Sequence, residues 1–312
     1  TPYSSKMYPV PVKAETQGAT DKSVAKFLKG RKREDVILAT KVAGYSEMIK
    51  WLPGRDGGIP RVNRDQIIKS VDASLERLGT DYIDLLQIHW PDRYVANFGQ
   101  FGYDKTKERE AVSFEEQLRA LEEVIKAGKV RHIGVSNETP YGVMKFKQTA
   151  EDHNLPEIVS IQNVYSLLQR MDFETNLAET CTESNCNVGL MVYSPLAGGV
   201  LSGKYTDTNV KKDDSKNWRL NLFEGYMARY LQSTAKEAVS EYCKVAEKHG
   251  VTPTEMALMW SNSRDFVSST IIGATTTSQL RENIEAFSKE MTPEMEEDIQ
   301  TVFKKYKDPA RN

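Results

Sequence analysis

Short β-branched runs alternate with longer amphipathic segments along nearly the whole chain, and this alternation restricts the fold more than any single residue does. Six runs stand out: Val36 to Thr40, Ile83 to Ile88, Arg131 to Val135, Ile158 to Gln162, Val188 to Tyr193 and Ser268 to Ile272. Their length and composition predict strands. The segments between them carry helix-boundary signals. Asn63 precedes Arg64 to Leu78 and Gly79 closes it, while Ser113 precedes Phe114 to Ala127 and Gly128 closes that. Thr292 to Tyr306, with Pro293 at its start, reads as a closing helix. Strands separated by helices pair in parallel through right-handed crossovers, which leaves an open doubly wound sheet or a closed barrel.

The loops separate these two architectures. Long irregular stretches run from Ala43 to Val62, Trp90 to Val112 and Pro195 to about Gly225, each directly after a strand, whereas the helix-to-strand connections are short. A barrel whose site is built from loops at the carboxyl ends of its strands has this asymmetry. A Rossmann sheet would need a GxGxxG turn after its first strand, and the sequence has none. The prediction is therefore an α/β protein with a (β/α)8 TIM barrel. No repeat, low-complexity tract or linker divides the 312 residues, which favours one domain. Six strands are clear where a barrel needs eight, with a stub of a seventh around Tyr3 to Lys6. The expected barrel thus lacks its first strand and helix and part of its second strand.

Composition excludes several function classes. With 42 basic against 44 acidic residues the net charge is −2, and a nucleic-acid binder would show an excess of Lys and Arg. No run approaches the roughly 18 apolar residues of a membrane span, and the N-terminus lacks a signal-peptide profile. Cys181, Cys186 and Cys243 have neither zinc-knuckle nor redox-pair spacing, and His132, His153 and His249 have no ligand spacing, so no metal site is expected. Scarce cysteine points to a reducing compartment, the cytoplasm by default. An organelle is the alternative if a transit peptide has been removed from a chain that begins at Thr1. The basic run Lys29 to Arg33 reads as a charged helix-to-strand loop.

Polar residues concentrate at the carboxyl ends of the expected strands: Lys41, His89, Ser136 with Asn137, Gln162, and Tyr193 with Ser194. In a barrel these ends converge on one mouth. Taken singly, Lys41 reads equally as a surface lysine and His89 equally as a hydrogen-bonded structural histidine.

In order and spacing, Met7-Tyr8-Pro9, Ala39-Thr40-Lys41-Val42, Leu85-Leu86-Gln87-Ile88-His89-Trp90, Gly134-Val135-Ser136-Asn137, Ile161-Gln162-Asn163, Tyr193-Ser194-Pro195-Leu196, Ser202-Gly203-Lys204-Tyr205 and Ile272-Gly273-Ala274-Thr275 resemble the aldo-keto reductases. The likeness is to the branch that holds bacterial Tas-like enzymes and potassium-channel β subunits. It implies a (β/α)8 barrel that binds NADP without a Rossmann motif and reduces small-molecule carbonyl substrates to alcohols. By that resemblance Tyr8 is the general acid, Lys41 the cation that eases its ionisation, and His89 the donor that orients the substrate oxygen. Ser136, Asn137 and Gln162 hold the nicotinamide carboxamide, and Tyr193 stacks on the ring. Ser194, Leu196 and Gly198 follow the pyrophosphate; Lys204, Arg219, Thr275 and Gln279 meet the adenosine phosphates; Glu282 and Asn283 face the adenosine. Two cations near a 2′-phosphate favour NADP over NAD.

The sequence departs from the family at one point of chemical weight. An Asp that pairs with the catalytic Lys stands five positions before the family's Tyr, and Tyr3 occupies that place here. Three readings follow: a reductase whose upstream residues are not part of this chain, an NADP-holding subunit with a structural or regulatory role beside an assembly partner, or a barrel that binds another small ligand. Phe98, Phe101 and Tyr103, with Trp51, Trp90 and Trp218, suggest an aromatic rim for apolar or aromatic carbonyls.

Overall fold

In β2, Ile83–Ile88, every side chain is buried, as a strand covered on both faces requires. It pairs in parallel with β1, Ala39–Val42, and β3, Val130–Ser136, so that Lys41 lies level with Gln87, and Gln87 with Gly134. These elements belong to a computed structural model that describes residues 14–47, 49, 51, 58–100, 102–206, 215–222 and 225–311. Tyr3, Tyr8, the expected strand stub and Phe101 lie outside the described residues. The chain divides into two units, residues 1–161 with 186–188, and residues 162–185 with 189–312.

The first unit holds β1, β2, β3 and the start of β4, Ile158–Val164, with helices between them. Helix Arg64–Leu78 forms as the sequence dictates: the Asn63 side chain accepts from the Gln66 amide, and Gly79 closes it at φ 66° in the left-handed region. Its apolar stripe places Ile67 and Val71 against the strands, and helix Phe114–Lys126 does the same with Leu118 and Leu121, all fully buried. Each such side chain is stabilised by roughly 1.5–3 kcal/mol relative to exposure. Gly134 is required by packing, because a Cβ there would stand 2.4 Å from the Ser160 hydroxyl oxygen.

Polar groups secure the amino ends of these strands. The buried Asp84 carboxylate accepts from the Leu38 amide at 2.9 Å, from Arg33 at 2.6 Å and from Arg131 at 2.8 Å. Both guanidinium groups lie over the Tyr82 ring, at 3.9 and 4.0 Å. Arg33 in the basic run is thus part of the strand scaffold. It also explains one difference from the sequence reading: β1 starts at Ala39, not Val36. Val36 ends a tight turn over Arg33–Asp35, and the Leu38 amide goes to Asp84 instead of a strand ladder.

The second unit holds the end of β4, then β5, Gly189–Tyr193, paired in parallel with β6, Val267–Thr270, through a bulge between Leu190 and Met191. Strands follow one another in chain order from β1 to β6. β6 ends two residues before the expected Ile272, although the Ile271 amide still donates to Val192 at 2.9 Å. Helices Ser233–Lys248, Pro253–Asn262, Thr277–Ala286 and Pro293–Lys305 complete the unit. Its core stacks Tyr165 on Trp260 at 4.9 Å, and the Arg170 guanidinium lies 4.9 Å from Trp260 and 4.0 Å from Phe303. Strand, helix and long post-strand loop therefore alternate as the (β/α)8 plan requires. Among the described residues no helix is long and apolar enough to cross a membrane.

Candidate active site

The expected site residues fall into two sets, one in each unit. In the first, three adjacent strands end in polar residues: Lys41 in β1, His89 just past β2, and Ser136 at the end of β3 with Asn137 beyond it. Parallel pairing in register makes them neighbours. The His89 amide donates to the Val42 carbonyl at 2.8 Å, which extends the β1–β2 ladder by one residue. Asn137 sits at φ 54°, a left-handed conformation that asparagine tolerates better than most residues. From there its Nδ2 donates to the His89 carbonyl at 2.8 Å and to the Ser136 hydroxyl at 3.1 Å.

The electrostatics of this set follow from burial. Desolvation lowers the Lys41 ammonium from 10.5 to about 8. His89 is held well below the ordinary imidazole value, first by burial and then by the Lys41 charge. At neutral pH the pair is thus a cation beside a neutral imidazole, which suits His89 to donate a hydrogen bond rather than to act as a base. Among the described residues no carboxylate forms an ion pair with Lys41.

Several residues around this set carry no local signal in the sequence. Asp92 is buried and accepts from the Val62 and Val112 amides, both at 2.8 Å, and from Arg61 at 2.9 Å. Arg93 and Glu138 form a two-pronged pair at 2.8 and 2.6 Å, with the carboxylate 3% exposed, and the absence of a Cβ at Gly142 makes room for it. Trp90 corrects the aromatic-rim expectation. It is buried in a cluster with Ala43 and Ile49, with Trp51 against it, and its indole N–H donates to the Tyr45 carbonyl at 2.6 Å. Phe98 and Tyr103 are exposed.

In the second unit Gln162 is a buried residue of β4, and the carbonyl of Tyr193, at the end of β5, accepts from the Tyr165 amide at 3.3 Å. The chain then turns sharply: Ser194, Ala197, Gly198 and Gly199 have φ of 57°, 48°, 70° and 97°. The Leu196 carbonyl closes this turn by accepting from the Gly199 and Leu201 amides. Lys204 places its ammonium 5.3 Å from both the Tyr205 and Trp218 ring centres, and burial with the nearby Arg219 charge lowers its pKa. The Tyr205 hydroxyl accepts from the Leu220 amide at 3.1 Å, tying Arg219's helical turn to the Lys204 segment. Thr275 donates from its amide and hydroxyl to Gln279 Oε1, at 2.9 and 3.0 Å. Glu282 accepts from the Thr252 hydroxyl, and Asn283 is buried at 2% exposure.

A lysine and a neutral histidine thus stand on adjacent strand ends in the first unit, and in the second Lys204, with the Arg219 charge near it, follows the left-handed turn after β5. Comparison with known proteins identifies the family. The model of the "Aldo/keto reductase family" matches residues 4–304. "Protein tas" of Escherichia coli is 42% identical over 310 residues, covering 98% of this chain and 86% of the relative. An "Aldo-keto reductase" of Babesia bovis is 40% identical over 286 residues, 88% of this chain and 98% of its own. A Schizosaccharomyces pombe protein named "Putative voltage-gated potassium channel subunit beta" is 29% identical over 295 residues, 92% of this chain and 77% of its own. The chain belongs to the aldo/keto reductase family, an oxidoreductase family.

Proposed function

We propose that this chain, as a single aldo-keto reductase domain, uses NADPH to reduce aldehydes or ketones to alcohols. The observation that carries the reading is the Lys41–His89 arrangement: a desolvated ammonium with a pKa of about 8 next to an imidazole kept neutral. Tyr8 is the proposed proton donor to the carbonyl oxygen. A phenol near pKa 10 gives up its proton more readily beside a cation, and Lys41 supplies that cation. His89 donates to the same oxygen as negative charge develops there.

The donor set fits a phosphate-bearing dinucleotide. Burial first, and then the nearby Arg219 charge, lowers the Lys204 pKa, and an anion bound beside the two cations would offset their repulsion. Ser194, Leu196 and Gly198 would line the pyrophosphate, with Thr275, Gln279, Glu282 and Asn283 toward the adenosine end. Ser136, Asn137 and Gln162 would meet the carboxamide, and Tyr193 the nicotinamide ring. When bound, NADPH supplies the hydride. The scarcity of cysteine, three in 312 residues, supports a reducing compartment such as the cytoplasm.

A second reading, an NADP-holding subunit in an assembly, has its own support. It rests on Tyr3 standing in the sequence where the family pattern has an Asp, and on the likeness to the S. pombe protein. Fluorescence titration with NADPH followed by turnover of a generic aldehyde separates the two. Binding with turnover supports the reductase, and binding without turnover supports the subunit.

A further inference from the structure

Three residues beyond His89, the chain places a carboxylate where two loops return. Asp92 is 2% exposed, and its oxygens accept from the Val62 amide at 2.8 Å, the Val112 amide at 2.8 Å, and Arg61 Nε and Nη2 at 3.0 and 2.9 Å. Val62 directly precedes Asn63, the cap of helix Arg64–Leu78, and Val112 directly precedes Ser113, the cap of helix Phe114–Lys126. The ends of both long loops, after β1 and after β2, are thus closed on one side chain. The backbone oxygen of Asp92 also accepts from Arg109 Nε at 3.2 Å, and the Arg109 guanidinium lies 3.7 Å from the Tyr45 ring centre in the loop after β1.

The link from Asp92 to His89 is short and stiff. Pro91 fixes its own φ, and Trp90 is held by its indole bond to Tyr45 and by Gly44, where a Cβ would stand 2.0 Å from the Trp90 carbonyl oxygen. His89 itself is fixed at its amide by Val42 and at its carbonyl by Asn137. A displacement at Asp92 therefore has few ways to relax except through residues 89–91 and the two loops. Removing an acceptor from a buried set of donors leaves those donors unsatisfied, so the loop ends would not stay in place.

We infer that Asp92 is a positioning residue: it fixes the ends of the loops after β1 and β2, at Val62 and Val112, and, through Trp90 and Pro91, the placement of the His89 ring. It touches no reacting atom. The proposal rests on the reductase reading for its kinetic consequence, and on geometry alone for the loops.

The test uses Asp92→Asn, which keeps the size and one acceptor oxygen but turns an amide N–H toward the donors, and Arg61→Gln, which leaves both backbone amides their carboxylate. Hydrogen exchange on the full chain is expected to quicken in residues 58–62 and 102–112 together for Asp92→Asn, with a smaller change for Arg61→Gln. Where aldehyde turnover is present, Asp92→Asn is expected to lose about 10- to 100-fold in kcat/KM, part of it in kcat, while NADPH affinity stays that of the parent. Exchange that quickens in only one loop or neither overturns the proposal. So does an Asp92→Asn protein with parental kcat and KM and only a lower melting temperature. If the parent chain turns over no carbonyl, the reductase reading fails by that result, and the exchange measurement alone decides the anchor.

Discussion

The His89 amide donates to the carbonyl of Val42, the residue after Lys41, so lysine and histidine stand on adjacent strand ends, where burial first and the lysine charge second depress the basicity of the imidazole. Two strands in parallel register bring the pair together, and burial sets its protonation. Each consequence is measurable.

Lys41 is a charge kept out of water at a cost to stability. Its folded pKa, about 8, lies below the 10.5 of the unfolded chain, so the unfolded state binds the proton more tightly. The penalty is full below pH 8 and fades as pH rises from 8 through 10.5. Lys41→Met is expected to abolish turnover while raising stability at pH 7 by up to about 3 kcal/mol, with no gain above pH 10.5. Denaturant titration at the two pH values checks it, and a uniform loss of stability contradicts it.

Tyr8→Phe removes the proposed acid without removing the ring. Turnover is expected to fall by about 10²–10⁴-fold with NADPH affinity unchanged. Unchanged turnover rejects Tyr8 as the acid.

Lys204→Met removes one of the two cations proposed for the 2′-phosphate. The expected result is a loss of about 1.5–3 kcal/mol in NADPH binding, roughly ten- to a hundredfold in Kd, with little change toward NADH. Equal losses for both nucleotides would place Lys204 elsewhere.

Gly134→Ala tests the packing beneath the site. A Cβ would meet the Ser160 hydroxyl oxygen at 2.4 Å and its carbonyl oxygen at 2.8 Å, so β3 or β4 must shift. A destabilisation of about 1–3 kcal/mol in urea is expected. A variant as stable as the parent means the strands are looser than described.

What the sequence made legible was local. Helix Arg64–Leu78 matches its expected bounds because Asn63 and Gly79 act on immediate neighbours, and β2 matches because every residue in it is buried. The start of β1 was misjudged because Asp84, 46 residues away, takes the Leu38 amide. Asp92 and the Arg93–Glu138 pair were missed for the same reason: their partners come from distant segments, and a lone acid in a loop looks like any solvated charge. Trp90 was read as a rim residue because the sequence does not show that Ala43 and Ile49 cover it. Lys41 and His89 stood out only through their shared position at strand ends, and their roles came from the family motifs.

The most direct measurement of the central claim is NADPH titration of this chain by fluorescence, continued into loss of the reduced-nicotinamide absorbance on adding an aldehyde. Saturable binding tighter for NADPH than for NADH, followed by aldehyde-dependent oxidation, is the predicted result. A folded chain that binds neither nucleotide would contradict it.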